Sequence, residues 1–84
     1  MSNLAFQDQP PASDTLTDYD HAHLKLYMRL LDADASGANW REVTLVLFGI
    51  DPANDAQRAK AVHAAHLARA KWMTDQGYRQ LLAQ

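Results

Sequence analysis

Residues 39–57, NWREVTLVLFGIDPANDAQ, decide how the chain folds. Asn39 is placed to cap a short helix, with Glu42 three residues on to complete a capping box. Gly49 can take the left-handed conformation that ends such a helix, Ile50 can pack back on its last turn, and Pro52 blocks continuation. Asn54, followed by Gln57, has the spacing of the next cap. Two helices joined in this way, with a third before them to close the core, are the outline of a helix-turn-helix domain. The turn is longer than usual, and the helix after it is poor in side chains that read DNA. That conflict points to regulation by protein contact.

Working outward, residues 18–33 read as the preceding helix. Thr17 with Asp20 forms a capping pair, and Ser36-Gly37 marks the exit. Leu24, Tyr27, Met28 and Leu31 fall at i, i+3, i+4 and i+7 and define the expected core stripe. Leu26, Leu30 and Tyr19 widen the apolar arc to roughly half the helix, against the ~100° that a surface helix needs. The 39–48 helix is also apolar on most sides, which a middle helix packed on both faces would explain. The third main helix is expected over 55–73. Gly77 then breaks it, and residues 78–82 (YRQLL) form a short closing helix over the core. The expected fold is therefore all-α: a small three-helix, helix-turn-helix-like domain over 18–84, with an extended turn and a short fourth helix. Residues 1–17, with Pro10-Pro11 among Ser, Asp, Thr and Gln, read as a disordered tail.

Composition bounds the function. A chain of 84 residues is one domain at most, and such a domain buries only about 60% of its unfolded surface. Without cysteine there is neither a disulfide nor a thiolate metal site, as suits a cytoplasmic protein. No apolar run approaches the roughly 20 residues of a membrane span. Net charge is −2 with His neutral, whereas DNA-binding domains usually carry a basic excess. Residues 1–37 hold Asp8, Asp14, Asp18, Asp20, Asp32 and Asp34 against Lys25 and Arg29 alone. That acid would repel nucleic acid or meet a basic partner, if it is more than a solvated stretch.

The usual marks of catalysis are missing. His21 and His23 point about 200° apart on a helix, and His63 with His66 supplies at most two ligands of a tetrahedral site. Isolated glycines build no phosphate loop, and no serine sits in a catalytic turn. The Asp32–Gly37 stretch lacks the carboxylate that closes a calcium loop. The chain is expected to be no enzyme and to carry no metal or cofactor.

The 55–73 helix is the most informative surface. Winding at 100° per residue puts Ala59, Val62, His63, His66, Ala70 and Met73 on the core side. Arg58 and Arg69 flank one edge, and Lys60 and Lys71 the other. The far side holds Ala61, Ala64, Ala65, Ala68 and Trp72. A DNA-reading helix should offer Arg, Lys, Asn or Gln there. Alanine is also simply the best helix former. As a functional face it is smooth and ends in an aromatic anchor, suited to docking a protein element.

The runs HLKLYMRLLDAD, WREVTLVLFG, RAKAVHAAHLARAKWM and the terminal GYRQLL resemble a domain-of-unknown-function family, numbered 2285, of proteobacterial mobile elements. The resemblance covers the chain from about Tyr19 to Leu82 and implies a helix-turn-helix variant with an extended turn. Some relatives carry such a domain with a basic face and act as transcriptional activators. Single-domain members resemble decoys that occupy the activator's surface, under quorum-sensing control of excision and conjugation. The implied partners are a transcriptional activator and a LuxR-type regulator, with no DNA and no membrane expected. The candidate partner-binding residues are Leu26 and Leu30 on the first helix, Ala61, Ala65, Ala68 and Trp72 on the long helix, and Tyr78. The alternative is a small DNA-binding regulator or excisionase-like factor using Arg58, Lys60, Arg69 and Lys71.

Overall fold

The computed structural model describes residues 6–77. Its elements are α1 (Asp18–Ala22), α2 (Leu24–Ala35), α3 (Trp40–Val43) running on into a π-helical turn (Thr44–Phe48), and α4 (Ala56–Trp72) followed by a second π-helical turn (Met73–Gly77). Among the described residues there is no strand, and the fold is the small all-α, helix-turn-helix-like domain expected. The closing helix proposed for residues 78–82 lies outside the described residues.

The caps are mostly where the sequence puts them. Thr17 Oγ1 accepts the Asp20 N–H at 3.2 Å, and Asp20 Oδ2 accepts the Thr17 N–H at 3.0 Å, a complete capping box. Asn39 accepts from the Arg41 N–H at 2.9 Å, and this bond, rather than a reciprocal Asn39–Glu42 pair, starts α3. Gly49 is left-handed (φ 69°), and the Ile50 N–H reaches back to the Thr44 carbonyl at 3.3 Å. Ile50 is buried, as the Gly-Ile stop requires. Asn54 departs from expectation. Its side chain donates to Asp51 Oδ2 at 3.1 Å inside the long turn, and Asp55 occupies the N-cap of α4 without a side-chain bond.

The first helix is not continuous. His23 (φ −115°, ψ 19°) interrupts it, its Nδ1 donating to the Tyr19 carbonyl at 2.8 Å and its ring stacked 3.9 Å from that of Tyr19. Asp20, His23, Tyr27 and Leu30 are buried, while Met28 is 68% exposed. Of the expected core stripe Leu24, Tyr27, Met28 and Leu31, Tyr27 is in the core and Leu24 and Leu31 pack against it; all four line an apolar groove of about 350 Å³, shared with Ala70, Met73 and Thr74. Periodicity located the apolar arc correctly and its centre wrongly.

The core is Tyr27, Leu30, Val43, Phe48, Ile50, Ala59, Val62, Ala70 and Met73. Small residues on α4 (Ala59, Ala70) leave room for the large ones of α2. The π-helical turn inserts one extra residue per turn, carrying Phe48 and Ile50 inward and leaving Leu45 (54%) and Val46 (65%) exposed. The middle helix is therefore not covered on both sides, contrary to the reading from composition.

Residues 6–17, read from composition as a tail, lie against the domain. Phe6 meets Phe48 edge-on at 5.1 Å between ring centroids, Asp8 pairs with Arg58, and the Ser13 and Thr15 carbonyls accept from Arg69.

Candidate interaction surface on the fourth helix

α4 follows the long turn 49–55 and occupies the place of the second helix of a helix-turn-helix. Ala59, Val62, His66, Arg69 and Ala70 face inward, close to the expected pattern. Ala61, Ala64 and Ala68 are exposed, and Ala65, Leu67 and Trp72 half-buried. Ala61, Ala65, Ala68 and Trp72 thus share one side at i, i+4, i+7 and i+11. The two candidates on α2 are not joined to each other as an accessible strip. Leu26 is half-buried against the core, and Leu30, only 1% exposed, is part of it. Packing rather than partner contact accounts for Leu30, because it lies on the side of α2 buried in the core with Tyr27. Tyr78 lies outside the described residues.

The cations of α4 are largely engaged by aspartates of the same chain. Arg58 Nε and Nη2 donate to the two Asp8 carboxylate oxygens at 3.0 and 2.9 Å. Lys71 Nζ stands 3.5 Å from Asp34. Arg69 Nη2 and Nε reach the two Asp20 oxygens at 2.6 and 3.0 Å, with both side chains buried. Lys60 is exposed on the other edge of the helix.

Sequence reading missed the arrangement around Asp20. Its carboxylate accepts from Arg69, the Thr17 N–H and Tyr27 Oη (2.9 Å). Burial would raise its pKa, but these hydrogen bonds outweigh the burial and hold it at about 2. Burial and the bond to Asp20 push the Tyr27 phenol well above its usual range. Arg69 is held further in place by the Ser13 and Thr15 carbonyls and by the Trp72 ring, 3.9 Å from its guanidinium carbon. The available signal was Asp20 in line with His23, Tyr27 and Leu30 on one helix side; nothing in periodicity names Arg69 as its partner.

A second cluster binds α1 to α4. His66 Nδ1 lies 2.8 Å from the Val62 carbonyl, which can only accept, so this nitrogen carries the proton. Nε2 is then free to accept from Tyr19 Oη at 2.6 Å. Burial lowers the His66 pKa, and the Val62 bond opposes that only in part.

These features define a small regulatory domain of helix-turn-helix type, with α4 as its presented helix. The chain belongs to the RovC DNA-binding-domain family, described as a T6SS transcription factor DNA-binding domain, whose model matches residues 2–83. No curated protein matches the chain. Membership corrects one expectation from the sequence: DNA, set aside there because of the acidic balance and alanine face, is the ligand by which this family is defined. Net charge is a poor guide here, since phosphate contact depends on where cations stand rather than on their sum. No helix among the described residues is long and apolar enough to cross a membrane.

Proposed function

We propose that this transcription-regulatory domain is a non-enzymatic antiactivator. It binds a transcriptional activator by protein–protein contact and blocks activation of excision and conjugative transfer of a mobile element under quorum-sensing control. The observation that carries this reading is the internal pairing of Arg58, Arg69 and Lys71 with Asp8, Asp20 and Asp34. A helix with three of its four cations paired to aspartates, and whose far side is Ala61, Ala65 and Ala68, offers a smooth face to a protein element. The mobile-element setting rests on the sequence resemblance, which in acidic balance extends to the single-domain antiactivator QseM.

A second reading is supported by family membership: α4 contacts DNA itself, through Gln57, Arg58 and Lys60 near its N-terminus, all exposed. One titration separates the two. The purified chain is mixed with the activator and its promoter DNA at low and physiological salt. Activator binding with loss of activation supports the first reading, and a salt-sensitive DNA shift without activator binding supports the second.

A further inference from the structure

Residues 6–15 cross the face of the domain that carries the Arg58–Arg69 edge of α4, and they are held unequally along their length. At the root, Ser13 and Thr15 give their carbonyls to Arg69, which is itself buried against Asp20. At the tip, Asp8 and Arg58 are both about half exposed, Phe6 is half-buried, and the Gln7 N–H donates to Tyr19 Oη at 3.1 Å. An exposed ion pair is worth ~0–1 kcal/mol, so the Asp8–Arg58 contact is a weak link between the buried Arg69–Asp20 root and Phe6, which packs edge-on against Phe48. Between them, Pro10 and Pro11 have no backbone N–H to fasten the chain.

The geometry points to residues 6–12 as a displaceable cover on α4, in which Asp8 takes the place on Arg58 that a nucleic-acid phosphate would occupy. Two parallel N–H···O bonds from one guanidinium to two anionic oxygens are the arrangement by which arginine holds carboxylate or phosphate alike. Arg58 stands in the first turn of α4, beside exposed Gln57, Lys60 and Ala61, where a helix entering a major groove is flanked by backbone phosphates. Lifting the tip frees Arg58, while the root keeps the arm tethered and able to return. Arg69 takes no part in this exchange, because its charge is spent on Asp20 inside the fold. The inference goes beyond the antiactivator reading and does not rest on it.

The test is fluorescence anisotropy of a random-sequence DNA duplex across a salt series. The full chain is compared with Asp8→Asn, Asp18→Asn and the double variant Asp8→Asn/Arg58→Gln. Asp18 is exposed in the first turn of α1, so Asp18→Asn makes the same change in net charge elsewhere. The expected result is several-fold tighter binding by Asp8→Asn at low salt, with the slope of log K against log salt steeper by about 0.9, the value for one added phosphate contact. Asp18→Asn should leave the slope unchanged, and Arg58→Gln should cancel the gain. Equal behaviour of the two asparagine variants, a gain that survives Arg58→Gln, or no binding by Asp8→Asn at low salt would each overturn the proposal. Activator binding by the same preparations reports separately on the antiactivator reading.

Discussion

Arg69 and Asp20, 49 residues apart, form a buried ion pair that joins α4 to the capping box of α1. Asp20 thereby does three things at once: it returns a hydrogen bond to its own N-cap, accepts from Tyr27, and neutralises the guanidinium that anchors residues 13–15. The start of the first helix, the path of the arm and the docking of α4 depend on one carboxylate.

Replacing Arg69 by Ala leaves that carboxylate buried and unpaired. Removing one partner of a buried pair costs about 3–5 kcal/mol, a large part of the ~5–15 kcal/mol total for a domain. Urea denaturation should show Arg69→Ala near the limit of folding. A double variant, Asp20→Leu with Arg69→Met, should recover part of the loss because no uncompensated charge remains.

Acid should act through the same residue. The Asp20 pKa falls on folding from an ordinary 3.8 to about 2, so its contribution is present above 3.8 and is lost as pH falls from there toward about 2. The amount is on the order of 2 kcal/mol. In Asp20→Asn that segment of the stability profile should flatten, as read by thermal melting at successive pH values.

His66 sets a milder dependence with the opposite chemistry. Its folded pKa lies below the ordinary 6.5, so the unfolded chain takes up a proton first, and stability declines as pH drops below about 6.5. Protonation also removes the acceptor that holds the Tyr19 hydroxyl. An NMR titration should find the His66 ring titrating below the ordinary 6.5. A His66 pKa at or above 6.5 would contradict the buried, neutral ring.

Gly49 at φ 69° ends the π-helical turn. A side chain there meets the left-handed penalty of about 1–2 kcal/mol, so Gly49→Ala should lower stability by about that amount while leaving the helical circular dichroism signal in place.

The α2 and α4 candidates should separate cleanly. Leu30→Asp puts a carboxylate in the core and should unfold the domain. Ala61→Asp, on the exposed side of α4, should preserve the fold and weaken activator binding. Full activator affinity in a folded Ala61→Asp variant would remove this side of α4 as the docking face.

Much of the fold was legible because it is local. Thr17 and Asp20, Asn39, Gly49 with Ile50, and the inward positions Ala59, Val62, His66 and Ala70 follow from caps, turn stereochemistry and the 3.6-residue period, which act over a few residues. The candidate surface was legible only in part. Its alanine side was read from the same period, but Leu30 was placed on it because an apolar arc spanning half a helix does not reveal its own centre. That centre was set by the packing of α2 against α4.

The chain by itself therefore determined the helices, where they stop and which long helix is presented, since those depend on near-neighbour hydrogen bonds and backbone stereochemistry. Tertiary structure alone decided which charges remain free. Asp8 with Arg58, Asp20 with Arg69 and Asp34 with Lys71 come from segments far apart in sequence. Coulombic and hydrogen-bond pairing depends on distance in space, and no periodicity in a sequence encodes which distant carboxylate will arrive within 4 Å of which cation.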